Sequence, residues 1–287
     1  MAETRDPDPA SSADPASSAD PGLVVEVRGI VARYDEQPVL NGIDLEVRPG
    51  EVVTILGGSG SGKSTLLKCM LGIHTPDAGT VKILGTDIVH AGPSALREVY
   101  KRIGIVYQGG ALFGSLTAAE NVAFPLREHT DLDEKIVDIA VRMKLGLVGL
   151  SGFENRLPSE LSGGQAKRVA FARAIAMDPQ ALFCDEPSAG LDPRIGRGID
   201  DLIRNLNRAF NMAVVVVTHE MESVKVIADR IIMLVARAGG AKVAFSGTYE
   251  EMKACEDPEV AAFVRREPLK EPRSEALEIL KQLTGED

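Results

Sequence analysis

The sequence has no long apolar run, no paired cysteines and no basic excess, and each lack removes a class of function. No segment approaches the roughly 18 consecutive apolar residues needed to span a bilayer. Its longest apolar stretches, residues 213–217 and 231–236, are strand-sized. Cys69, Cys184 and Cys255 are scattered without a CxxC pair, so neither a zinc site nor a disulfide framework is expected. The formal charge of −10 and the pI of about 5.1 argue against nucleic acid as a partner, because binders of phosphate backbones carry a basic surplus. Near the N-terminus no basic region precedes an apolar one, so no secretory leader is expected. These lacks together predict a soluble, cytosolic chain.

What is present is enough for one large core: 287 residues, 44% of them hydrophobic, with mean hydropathy near zero. Residues 1–22 are the exception, being rich in Ala, Ser, Asp and Pro, with one hexapeptide repeated at 10–15 and 16–21. Such a segment cannot bury a core and is expected to be a disordered tail. From residue 23 the pattern turns strand-like, with β-rich runs at 23–31, 43–47 and 52–56. A Gly-rich turn, a helix over about 63–71 and a strand over 80–84 follow. Residues 115–161 read as mainly helical, with apolar spacing at Ile136, Ile139, Ala140 and Met143. Helix and strand then alternate: helix 163–176, strand 181–184, helix 194–210, strand 213–218. The β-branched run Val214 to Val217 predicts a strand buried on both faces of a parallel sheet. Strands near 230–236 and 242–246 and short helices complete an α/β core with a helical insertion. Past Arg265, two prolines predict an extended linker, then a helix capped by Ser274. That helix reads equally as a frayed end or as a strap on a partner protomer.

The chemistry starts at Gly57-Gly58-Ser59-Gly60-Ser61-Gly62-Lys63-Ser64, which matches G-x-x-x-x-G-K-[ST] between an apolar strand and a helix. Its glycines let backbone N–H groups face an anion, and the helix N-terminus adds positive potential. Lys63 is placed for the β- and γ-phosphates of a nucleotide, and Ser64 for Mg²⁺. This loop alone leaves kinases, GTPases and many ATPases open. Leu161-Ser162-Gly163-Gly164-Gln165 decides among them. It lies just before a predicted helix, where the Ser162 hydroxyl and the Gly164 N–H can meet an anion.

Residues 161–165 are the signature of the ABC ATPases, and the resemblance to that family covers about residues 23–250. It implies a P-loop NTPase fold with an antiparallel β subdomain, a RecA-like parallel-sheet core and a helical subdomain over about 110–165. The nucleotide-binding domain is then 23–265, with a tail at 266–287. It implies ATP and Mg²⁺ as cofactors, with Thr65 completing the ATP-binding set in the first helical turn. It also implies that 161–165 meet the γ-phosphate held by the opposite protomer, so that the chain works as a homodimer.

Further landmarks follow in the family's order. Ala181 to Glu186 resembles a Walker B strand, with Asp185 for the metal and Glu186 as general base. Gln108 fits the Q-loop, which links Mg²⁺ to the membrane subunits, and His219 the switch histidine at the γ-phosphate. Asp192 fits the D-loop, although Ala189-Gly190 stand where Ser-Ala is commoner, which puts the contact of those two positions in question. Tyr34 occupies the place of an adenine-stacking ring; an ordinary core tyrosine is the other reading.

Residues 107–113, 116–117 and 120–128 resemble the ATPases of the Mla/Mce lipid-transport systems, and residues 185–193 agree with that group. The implied assembly is two copies of this chain, two permease subunits and a periplasmic Mce-domain lipid-binding protein, with the ATPase peripheral on the cytoplasmic face of the bacterial inner membrane. An importer of polar amino acids or another small solute is the alternative. A non-transport ABC ATPase of DNA repair or translation fits less well, since no coiled-coil insertion, zinc motif or second cassette is visible.

Overall fold

A computed structural model describes residues 22–265. The expected tails, residues 1–21 and 266–287 with the helix from Ser274, lie outside the described residues. Two sheets organise the chain. The smaller is antiparallel, in the order β2-β1-β4-β5, from β1 (Val25–Tyr34), β2 (Gln37–Val47), β4 (Ala78–Ile83) and β5 (Thr86–Asp87). The larger has the order β10-β9-β3-β8-β7-β6. Its members are β3 (Val52–Leu56), β6 (Ile103–Val106), β7 (Ala181–Asp185), β8 (Ala213–Thr218), β9 (Arg230–Val235) and β10 (Lys242–Gly247). All its neighbours pair in parallel except β10, which runs antiparallel to β9.

Strand β8 shows why the large sheet is closed on both faces. Every residue from Ala213 to Thr218 is buried. Ala213, Val215 and Val217 enter one apolar cluster with β1, β2 and the helix α1 (Lys63–Met70); Val214 and Val216 enter another. Each such side chain contributes roughly 1.5–3 kcal/mol of burial, and a charge at Val216 would have no partner on either side. The second cluster also takes in the helical region: α3 (Ala118–His129), α4 (Glu134–Leu147), α5 (Gly163–Ala174) and α6 (Pro193–Phe210). Arg230 joins the two sheets. Its Nε lies 2.7 Å from Oε1 of Glu51, and its Nη2 donates to the Glu46 carbonyl of β2 at 2.6 Å.

The helix expected here forms as α4 (Glu134–Leu147), but the apolar spacing noted in it is not its buried face. The spacing Ile136, Ile139, Ala140, Met143 is periodic, but Ile136, Ile139 and Met143 are 49%, 56% and 61% exposed. The buried face is Val137, Val141 and Leu145, one position further along the helix. Both stripes satisfy a 3.6-residue period, and the packing of α3 and α5 against α4 selects between them. Two helices have no counterpart in the sequence reading: α2 (Pro93–Tyr100) and α7 (Met221–Ile227). The chain closes with α8 (Tyr249–Lys253) and α9 (Pro258–Val264). Among the described residues, no helix is long and apolar enough to cross a membrane.

Candidate active site

Four parallel neighbours, β3, β8, β7 and β6, end at one edge of the large sheet. β3 runs into the loop beginning at Gly57, β8 ends beside His219, β7 at Asp185 and Glu186, and β6 just before Gln108. Parallel pairing sets these carboxyl ends side by side, and the crevice outside them is where open α/β sheets take ligands. Residues remote in sequence are thereby gathered along one edge.

The loop after β3 depends on its glycines at close approaches. Gly62 has φ of 84°, and a Cβ there would stand 2.7 Å from Cδ2 of Leu40. No side chain caps α1, and its first turn holds no acidic residue. The N–H groups of that turn are therefore left for an outside anion, unlike those of α3 and α5, which have capping boxes. Lys63 folds back over the loop and donates to the Gly57 and Gly58 carbonyls, each at 2.9 Å. Burial lowers its pKa, against the opposing pull of Glu186 and Asp185. Ser59 and Ser64 are exposed, whereas Ser61 and Thr65 are buried.

Beside the loop, β7 ends at the Asp185 carboxylate, and Glu186 follows it directly. Burial, then the neighbouring Glu186, raises Asp185 above the usual carboxylate range, against Lys68, Lys167 and Lys63. Two adjacent acids on a buried strand favour a cation between them and the crevice. Glu186 is 9% exposed and takes a left-handed φ of 46°, rare for a residue other than glycine. Its Oε1 lies 2.8 Å from Nδ1 of His219, while Oε2 is buried without a partner. When Glu186 is ionised its oxygens only accept, and Nδ1 is then the donor of that contact.

Tyr34 is 42% exposed, which removes the core reading. One face of its ring meets His74, with centroids 4.7 Å apart and planes inclined by 30°.

The signature residues stand elsewhere. Ser162 caps α5 through a capping box: its Oγ accepts from the Gln165 N–H at 3.3 Å, and Gln165 Oε1 accepts from the Ser162 N–H at 2.8 Å. Leu161 is half-buried, and Ser162 and Gly163 are exposed. Gly164 is buried, and a Cβ there would lie 2.5 Å from Cγ2 of Ile195. None of residues 161–165 lines the cleft that Gly58, Ser59, Ser61 and His219 share. Asp192 is exposed, and its carboxylate caps α6 by accepting from the Arg194 N–H at 2.9 Å.

Sequence reading missed the residues that brace these loops. Lys167 of α5 is buried and donates to the Gln108 carbonyl; Arg173 of the same helix donates to Ala111 and Gly110 at 2.8 and 2.9 Å. Ser188 Oγ donates to Glu220 Oε2 at 3.1 Å and lies 3.1 Å from Ser223 Oγ. Lys and Arg one and a half turns apart look like any solvated helix, and serines carry no motif, so no local signal marked them.

The ABC transporter family model matches residues 40–189. The intermembrane phospholipid transport system ATP-binding protein MlaF of Haemophilus influenzae is 40% identical over 244 residues, which cover 85% of this chain and 91% of that protein. A probable ribonucleotide transport ATP-binding protein, mkl of Mycobacterium leprae, is 37% identical over 85% of this chain and 69% of its own. Among solved structures, the ATP-binding cassette MJ0796, a dimer in a post-hydrolysis state bound to ADP and Pi, superposes with a TM-score of 0.69. It is 32% identical, over 78% of this chain and 98% of its own. The chain belongs to the ABC transporter family and is an ATP-binding, ATP-hydrolysing subunit of that family.

Proposed function

We propose that this ATPase powers the movement of phospholipid between membranes, as a homodimer beneath two permease subunits that work with a periplasmic Mce-domain protein. Its place is peripheral, on the cytoplasmic face of the bacterial inner membrane, with residues 23–265 as the nucleotide-binding domain. The observation that carries the cargo is the 40% identity to the phospholipid transport protein MlaF along nearly the whole of both chains. The mkl likeness, at 37%, favours the second reading, a small-solute transporter.

The mechanism rests on residues placed at separate edges of one chain. ATP phosphates rest on the open N-terminus of α1 and the loop 57–64, where Lys63 exchanges its two carbonyl partners for phosphate oxygens. Adenine stacks on the free face of Tyr34. The exposed Ser162 hydroxyl and the α5 N-terminus complete the site of the opposite protomer, which is why neither half-site closes alone. Glu186 takes the proton of the attacking water at Oε2, the oxygen left without a partner, while His219 holds Oε1 and faces the γ-phosphate. ATP shifts the open–closed balance only through its preference for the closed dimer. The loop at Gln108 passes that movement to the permease.

Mg²⁺ fits the donor set: the Ser64 hydroxyl, the Asp185 carboxylate and the Gln108 amide are oxygen ligands, and Asp185 is raised by Glu186 beside it. The ion supplies charge neutralisation for the β- and γ-phosphate oxygens.

The deciding experiment is purification of the tagged chain from detergent-solubilised native membranes, with mass spectrometry of bound proteins and lipids. A permease, an Mce-domain protein and phospholipid are expected. A small-solute permease with a soluble binding protein instead would keep the ATPase and discard the cargo.

A further inference from the structure

Asp200 is the most deeply buried carboxylate outside the catalytic row. It stands two turns into α6, 3% exposed, and its Oδ1 has no hydrogen-bond partner among the described residues. It lines a cleft of about 1250 Å³ that extends to Ser59 and His219. Around it lies a small polar cluster. Ser223 of α7 is buried and lines the same cleft as Asp200, with Ser188, which follows the catalytic carboxylates, and Glu220, which directly follows His219. Ser188 Oγ reaches Glu220 Oε2 at 3.1 Å and Ser223 Oγ at 3.1 Å, and Ser223 Oγ reaches Glu220 Oε2 at 3.4 Å. The Glu220 N–H is held in turn by Thr218 Oγ1 at 3.0 Å.

Proton counting makes this cluster two-valued. Each serine hydroxyl has one hydrogen to give. When Asp200 is protonated it donates to Ser223, and both hydroxyls are free to donate to Glu220. When Asp200 is ionised it can only accept, so Ser223 turns to it and Glu220 keeps Ser188 alone. Resting on the roles given above to Glu186 and His219, we propose that Asp200 is a positioning residue for ATP turnover. Through Ser223 it sets whether Glu220, the residue next to His219, is held by two hydroxyls or by Ser188 alone.

The electrostatics place this choice within reach of ordinary conditions. Burial raises the Asp200 carboxyl to about 6, against the Ser223 hydroxyl, which lowers it. Glu220, from the loop before α7, raises it further; on its own helix Arg197 lowers it and Asp201 raises it. Glu222 of α7, His219 and Glu259 of α9 line the same cleft. Arg197 is itself engaged with Asp201, its Nε 3.1 Å from Oδ1.

The test is the pH profile of ATP turnover by the full chain in wild type, Asp200→Asn, Ser223→Ala and the double variant, with ATP affinity measured beside it. Asparagine keeps the shape of the carboxyl and, like its protonated form, donates to Ser223. Below about pH 6 the Asp200→Asn and wild-type rates are expected to agree. Above it, where wild-type Glu220 has lost one donor, the variant is expected to be faster by about fivefold. ATP affinity is expected to be unchanged, and the step to vanish in the Ser223→Ala background. A ratio that stays constant with pH, or a step that survives Ser223→Ala, overturns the proposal. Lys63→Ala and His219→Ala run alongside separate the two levels: if they turn over like wild type, the catalytic roles themselves are wrong, whatever Asp200 does.

Discussion

Nδ1 of His219 lies 2.8 Å from Oε1 of Glu186, and the other oxygen of that carboxylate is buried without a partner. One oxygen is held and the other has no hydrogen-bond partner, so it is the one left to take a proton from a water brought in with the nucleotide. Glu186→Gln is therefore expected to bind ATP with wild-type affinity and to lower turnover by roughly 10²–10⁴. It is also expected to accumulate a closed dimer with ATP, read by light scattering. Wild-type turnover in this variant would remove Glu186 from the role of base.

Lys63 gives its hydrogens to two loop carbonyls, and burial lowers its pKa. Lys63→Ala leaves those carbonyls and the α1 N-terminus in place but removes the positive charge assigned above to the phosphates. ATP affinity by equilibrium binding is expected to drop at least about tenfold, the equivalent of one charge-assisted hydrogen bond. An unchanged Kd would defeat the phosphate-loop reading.

Gly164 faces Ile195 so closely that a Cβ would meet Cγ2 at 2.5 Å. Gly164→Ala is expected to cost about 1–3 kcal/mol in urea unfolding, as overpacking does. Ile195→Ala in the same chain is expected to restore part of it. If the double variant is no more stable than the single one, the clash is not the cause.

Asp200 gives a stability prediction of definite sign. Its folded carboxyl titrates near 6, above the ordinary 3.8. A raised acid disfavours its own ionisation in the fold, so the favourable contribution is complete below about pH 4 and lost as pH climbs through 6. Asp200→Asn is expected to gain up to about 3 kcal/mol over wild type at pH 8 and little at pH 4. Equal differences at the two pH values would contradict the burial argument.

The sequence made the carboxyl edge of the large sheet legible because each of its parts is local. A strand, a turn and two or three fixed residues announce the loops at 57–64 and 185–186, and β-branched Val214 to Val217 announces β8 as a doubly buried strand. Residue 164 was legible as part of a motif, but its packing against Ile195 was not, because Ile195 belongs to a helix thirty residues on. The inward face of α4 was not legible, for a related reason. Ile136, Ile139 and Met143 share a helical period with Val137, Val141 and Leu145, and only tertiary packing tells which stripe is inward. Ser188, Ser223 and Asp200 acquire meaning only when α6 and α7 are laid together, so no window along the chain contains them.

Helix α5 has twelve residues, about 18 Å of rigid rod. Ser162 caps its start, while Lys167 and Arg173 along its length grip the carbonyls of Gln108, Gly110 and Ala111. The loop and the donor tip thus share one lever. A push of an ångström on residues 108–111 must either swing Ser162 by a comparable amount or break three charge-assisted hydrogen bonds.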